Sequence, residues 1–232
     1  LDLSSLIKNP VMKRLVVCFF YLFLSPFVWS NIPNNSLPQT KLKIGITGSI
    51  IYPGLNIGIE RPYKYKQKDI VTSKRTKTKY KERLLAVNTG MYHQNDFHTG
   101  FLVWGEWIRK RHNSKGFFCD KSIGLGVNRT FVDGPTFEMD ANGNPQKKHL
   151  SGNTYGLLSL STSMGYQGLM MQNKAFSLYL KHQWIFMFPY NGFINPRPFI
   201  ELGYKQDIQG IWNANPRFIH IKKSRKKGGN IR

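Results

Sequence analysis

Thr154-Tyr155-Gly156-Leu157-Leu158-Ser159-Leu160-Ser161-Thr162-Ser163-Met164-Gly165-Tyr166 is the stretch whose reading decides the fold. From Leu158 on, Leu158, Leu160, Thr162, Met164 and Tyr166 fall on one face of an extended chain. Ser159, Ser161, Ser163 and Gly165 fall on the other, because successive side chains of a strand point to opposite sides. A sheet covering a water-soluble core would carry charge on its second face. Here that face is serine and glycine, which suits the crowded inside of a small closed barrel.

The same alternation recurs in seven more segments, residues 42–51, 55–63, 84–92, 97–109, 117–132, 175–188 and 198–206. In the first, Ile44, Ile46 and Ile50 oppose Gly45, Thr47 and Ser49. In residues 97–109, Phe97, Phe101, Val103 and Trp107 oppose His98, Gly100, Trp104 and Glu106. In residues 117–132, Ile123, Leu125 and Val127 oppose Gly124, Gly126, Asn128 and Thr130. Tyr52-Pro53-Gly54 and His93-Gln94-Asn95-Asp96 read as tight turns between neighbouring strands. The fold expected is all-β: a closed, antiparallel, up-and-down transmembrane β-barrel. It has eight strands, or ten if residues 208–221 contribute more, because an even number closes the sheet and removes its edges.

Composition bounds the compartment and the partners. The chain carries 34 Lys plus Arg against 12 Asp plus Glu, a formal net charge of +22. That surplus attracts polyanions: nucleic acid, anionic lipid or lipopolysaccharide phosphate. Sixteen Phe, 11 Tyr and 5 Trp accompany 21 Gly, and membrane barrels use aromatics at their interfaces and glycine inside. Met12-Lys13-Arg14, an apolar run from Leu15 to Phe27 and Val28-Trp29-Ser30 form the three parts of a secretory signal. The apolar run is short for a spanning helix, which needs about 20 residues. Residues 1–11 read as an upstream extension, 12–30 as the signal helix, 31–40 as a linker, 41–208 as the barrel and 209–232 as a basic tail. Cys18 belongs to the signal, and the spacing around it is wrong for lipidation. Cys119 is then alone, so no internal disulfide forms.

Three segments carry a family resemblance. Residues 87–100 (Val-Asn-Thr-Gly-Met-Tyr-His-Gln-Asn-Asp-Phe-His-Thr-Gly), residues 123–131 (Ile-Gly-Leu-Gly-Val-Asn-Arg-Thr-Phe) and residues 188–193 (Phe-Pro-Tyr-Asn-Gly-Phe) resemble small outer-membrane barrel proteins of Bacteroidetes. The resemblance implies the barrel fold and an outer-membrane location, with no activity, cofactor or catalytic residue to carry over. Such barrels usually end on an aromatic residue soon after the last strand, whereas this chain continues through a basic tail.

Five charged residues, Glu60, Glu106, Lys181, Glu201 and Lys205, fall on the small-residue face of their strands. If that face is the inside, they form a charge network: a polar plug filling the barrel, or a gated ion path. The plug is the expectation, because eight-stranded barrels are filled by side chains. His149-Leu150-Ser151 resembles the His-x-Ser pair of an outer-membrane lipid A deacylase, but it stands in a Gly/Asn/Lys-rich loop without an orienting acid. His93 and His98, with Asp96 between them, lack a third metal ligand at a diagnostic spacing. Residues 64–83 read as a lysine-rich solvated loop, with electrostatic docking to lipopolysaccharide phosphates as the functional reading. Only Tyr65 and Tyr80 interleave its cations, which argues against nucleic acid.

The expectation is therefore a monomeric outer-membrane protein with a structural or adhesive role, no catalysis and no cofactor. Its partners are outer-membrane lipid, lipopolysaccharide and the barrel-insertion machinery. The rivals are a narrow pore, a lipid A-modifying enzyme and a soluble periplasmic ligand-binding barrel.

Overall fold

The computed structural model describes residues 28–29, 38–49, 52–72, 75–94, 97–140, 144–148, 151–171, 174–190, 193–208 and 216–224. All regular elements among them are strands. These are β1 (Val28–Trp29), β2 (Lys41–Gly48), β3 (Pro53–Thr72), β4 (Arg75–Gln94), β5 (His98–Asn113) and β6 (Phe117–Val132). They continue with β7 (Thr136–Met139), β8 (Pro145–Lys148), β9 (Thr154–Met171), β10 (Lys174–Tyr190), β11 (Phe193–Asp207) and β12 (Arg217–Ser224).

Eight of these form one closed ring, β2-β3-β4-β5-β6-β9-β10-β11, and every neighbouring pair is antiparallel. The ring closes where Gly48 to Lys41 of β2 pair with Ile200 to Asp207 of β11. Its register climbs. The row from Lys41 runs through Glu60, Ala86, Glu106, Gly124, Ser159 and Ile185 to Arg197. Arg197 lies beyond the level at which Ile200 meets the last residue of β2, so the row does not return to its start. A ring of tilted strands has this property.

The alternation read from the sequence sets the two faces. Leu55, Ile57, Leu85, Val87, Val103, Leu125, Val127, Leu160, Leu180 and Leu202 are exposed on the outside. Asn56, Asn88, Asn128, Ser159, Ser163 and Ser177 are buried inside. Glycine makes room for the large inward rings: a Cβ at Gly100 would collide with the ring of Tyr92, and one at Gly126 with the Val103 carbonyl and Trp104.

The two ends of the ring differ. At the near end, where β2 starts and β11 finishes, the connections β3–β4, β5–β6 and β9–β10 are short. The far end carries the long β6–β9 connection, residues 133–153. Its Gly, Pro and Asn content predicts an irregular loop, yet within it β7 and β8 form a separate hairpin.

Within residues 64–83, expected as a loop, residues 64–72 and 75–83 are strand. β3 and β4 continue past the ring as a paired extension from Lys64↔Arg83 to Thr72↔Arg75. Lysine is poor strand material in isolation, but pairing already established in the ring propagates outward. Beyond Glu60 this stretch of β3 has outrun β2. Its open edge is covered instead by β12, which runs parallel to it from Arg217↔Lys64 to Ser224↔Val71. Pro62 falls in the gap between the two partners, at a register shift, where a missing N–H costs no ladder bond. The basic tail thus contributes a strand outside the ring, which keeps eight strands and not ten. Val28–Trp29, at the end of the expected signal segment, pair with Met170 and Leu169 of β9. The rest of that segment and residues 209–215 and 225–232 lie outside the described residues.

Candidate functional site: the charged interior

Glu60, Glu106, Lys181, Glu201 and Lys205 all lie inside the ring, and all are buried. The inward parity of their strands brings five more charges with them: Lys43, Glu82, Lys110, Asp120 and Arg197. Among the described residues the interior therefore holds five buried cations and five buried carboxylates. It is neutral, although the chain carries +22.

Three clusters organise the middle. Lys205 Nζ lies 2.8 Å from Glu60 and 3.6 Å from Asp120, and Ser163 donates its hydroxyl to Asp120. Glu106 accepts from Lys181 Nζ at 2.7 Å and from Trp104 Nε1 at 3.0 Å. Glu201 accepts from Asn56 Nδ2 at 2.8 Å and from the Tyr179 hydroxyl, with Lys43 Nζ 3.6 Å away. Gln183 links the second cluster outward by donating to Ser159 Oγ at 2.7 Å. Buried charges are costly unless paired and hydrogen-bonded; each of these carboxylates faces a lysine, and Asp120, Glu106 and Glu201 also accept from a neutral side chain.

Rings fill the remaining space. Lys110 Nζ sits 4.2 Å from the Phe118 ring centre, and Lys205 Nζ 4.8 Å from that of Tyr179. Towards the far end the filling becomes apolar: Tyr92, Leu102, Trp104, Leu157, Ile185, Met187 and Phe199 form one cluster. Arg197 crosses it, donating to the Tyr92 hydroxyl at 2.9 Å and lying 4.9 Å from the Tyr52 ring centre. Towards the near end, His112 Nε2 lies 2.7 Å from Glu82, and the His112 ring stacks on Tyr80 at 4.6 Å.

The other sequence candidates are not brought together. His98 points inward, within 3.3 Å of Arg197. His93 is exposed beside Thr99, at 3.0 Å. Asp96 and His149 lie outside the described residues, so the His149-x-Ser151 pair has no geometry. Among the described residues no group of three or more His, Cys, Asp or Glu could hold a metal ion. Four of the additional interior charges share the parity of residues already read as inward: Lys43 with Gly45, Lys110 with Glu106, Asp120 with Gly124 and Arg197 with Glu201; Glu82 lies in the stretch read as a loop. Extending that parity to the strand ends would have found them.

No protein-family model and no curated protein matches this chain. The resemblance to Bacteroidetes outer-membrane barrels thus stands on the quoted segments alone. One solved structure, described as "Unveiling the Mechanism Behind the in-meso Crystallization of Membrane Proteins", is similar at 6% identity over 75% of this chain and 86% of the other, with a TM-score of 0.21. A likeness of that size carries no argument about fold or function.

Proposed function

We propose that this chain is a monomeric outer-membrane β-barrel with a structural or adhesive role and without catalysis. The observation that carries the reading is the contrast between its two faces. The outside of the ring exposes aliphatic and aromatic side chains on every strand, among them Val87 and Leu125, each 66% exposed. Water-soluble monomers rarely leave apolar patches above a few hundred Å², whereas a bilayer takes such a band without cost. Trp107, whose Nε1 donates to the Tyr63 hydroxyl at 2.6 Å, lies towards the near end of that band, where aromatic girdles belong.

The filled, neutral interior supports a scaffold over a pore. The far-end hairpin supports adhesion: it presents Phe137 and Met139, 64% and 71% exposed, as a ready contact for a partner. The test is conductance of the purified full chain in planar bilayers after detergent-phase partitioning. The expected result is recovery in the detergent phase and no single-channel steps. Reproducible steps would replace the scaffold with a channel, and recovery in the aqueous phase would replace the membrane barrel with a soluble one.

A further inference from the structure

On the outward face of the near end, cations stand directly opposite cations. Lys64 pairs across the strands with Arg83 and Arg83 with Arg109; Lys66 pairs with Lys81 and Lys81 with Arg111; Lys68 pairs with Lys79. The carboxylates of these segments, Asp69 and Glu82, have the opposite parity and face the other way. Like charges directly opposite on a sheet destabilise it, so eight of them on one face is an arrangement that lacks its counter-charge. The Lys81 ammonium, although exposed, is pushed below its ordinary value by slight desolvation first and then by Arg111, Lys68 and Lys66.

The array is continuous with the apolar band. Trp107 lies between Arg83 and Arg109, whose guanidinium carbons are 5.9 and 5.4 Å from its ring centre. Cations that begin where a membrane-facing band ends are placed at headgroup level, where basic residues are attracted to anionic lipid. The aromatics of the extension argue against a nucleic acid. Tyr65, Tyr80 and Phe218 stack on one another on the opposite face, and a single-strand groove needs bases stacked beside its cations.

We propose that this face binds the phosphates of anionic phospholipid in the leaflet at the near end of the barrel. The proposal rests on the membrane reading above. Membrane barrels turn their short connections to the periplasm and their long ones outward. The near end, where the connections between ring strands are short turns, therefore meets the phospholipid leaflet, and the far end, with residues 133–153, meets the lipid A leaflet.

The experiment uses the full chain and its triple variant Lys66→Gln, Lys81→Gln, Arg111→Gln in phosphatidylcholine nanodiscs with and without phosphatidylglycerol. Phosphatidylglycerol should raise the unfolding midpoint of the parent. The variant should lose that gain, with on the order of a hundredfold weaker phosphatidylglycerol retention for three basic residues removed. In pure phosphatidylcholine the variant should unfold at a higher midpoint than the parent, because its repulsion is gone. Exchanging the three for the opposite basic type (K66R, K81R, R111K) should keep the gain. Equal midpoints of the parent in the two lipids would overturn the proposal while leaving the barrel standing. So would loss of single-stranded oligonucleotide binding in the variant with phosphatidylglycerol retention unchanged. Failure of the parent to enter nanodiscs would instead remove the membrane reading itself. To separate the two leaflets, Lys68→Cys in a Cys119→Ser background should resist an impermeant thiol reagent in intact cells. Labelling there would place the cations on lipid A and overturn the choice of phospholipid.

Discussion

The interior of the ring and the outward face of its extension are built from the same residue types under the same two-residue alternation, with opposite results. Inside, Lys181 meets Glu106 at 2.7 Å and Lys205 meets Glu60 at 2.8 Å. Outside, Lys81 meets Lys66 on one side and Arg111 on the other. Alternation within a strand decides which face a charge takes. The register between strands decides whether it finds a partner there. A protein of net charge +22 can thus keep a neutral core, because its surplus is sorted outward before any pair forms.

The comparison is sharpest where a pair is broken. Glu106→Leu leaves the Lys181 ammonium buried without its carboxylate and should cost about 3–5 kcal/mol, read from denaturant unfolding in detergent micelles. Adding Lys181→Met should recover most of that, since replacing both partners of a buried pair by apolar groups is close to neutral. The shortfall is the Trp104 N–H, which also donates to Glu106 and would stay unmet at about 1–3 kcal/mol. Equal stability of the single and double variants would mean the interior charges are not coupled as pairs.

The faces themselves can be broken at adjacent residues. Leu160 lies outward in mid-strand, and Ser161 points inward with its hydroxyl 2.5 Å from that of Ser122. Leu160→Arg should cost roughly 2–4 kcal/mol when folded into lipid vesicles, against a smaller loss for Ser161→Asn. If the two cost the same, the outer face is not the lipid face.

What could be read from sequence follows the same division. Parity placed Glu60, Glu106, Lys181, Glu201 and Lys205 on one face, because Gly, Ser and Asn mark the inward side throughout each strand. It could not pair them. Lys205 meets Glu60 and Asp120 from strands far apart in the chain, through a closure that no local pattern encodes. The extension was missed for a different reason. Residues 64–83 carry a lysine pattern that resembles a solvated loop, and the strand conformation of residues 64–72 and 75–83 comes from ladders continued out of the ring and from β12 on the open edge. Phe218 and Ile219 hinted at that strand, but its parallel pairing with β3 depends on where β2 stops.

The weakest link of the extension should also be the most sensitive to acid. β12 is held to β3 on one side, and His220 Nε2 lies 2.7 Å from Asp69 Oδ2 across that seam. The hydrogen bond with His220, and next that with the Thr78 hydroxyl, hold the Asp69 carboxyl below its ordinary value. A carboxyl depressed in the docked state contributes fully above its free value of about 3.9, and the contribution fades as pH falls through the lower docked value. Amide protection factors across Arg217–Ser224, corrected for the intrinsic exchange rate at each pH, should therefore fall between pH 5 and pH 3, to a modest degree because the pair is exposed. Protection factors in the ring strands should hold steady over the same interval. In Asp69→Asn, β12 should exchange faster at neutral pH and lose most of its acid response. A response in β12 that survives this substitution unchanged would show that the seam is held by something other than this carboxylate.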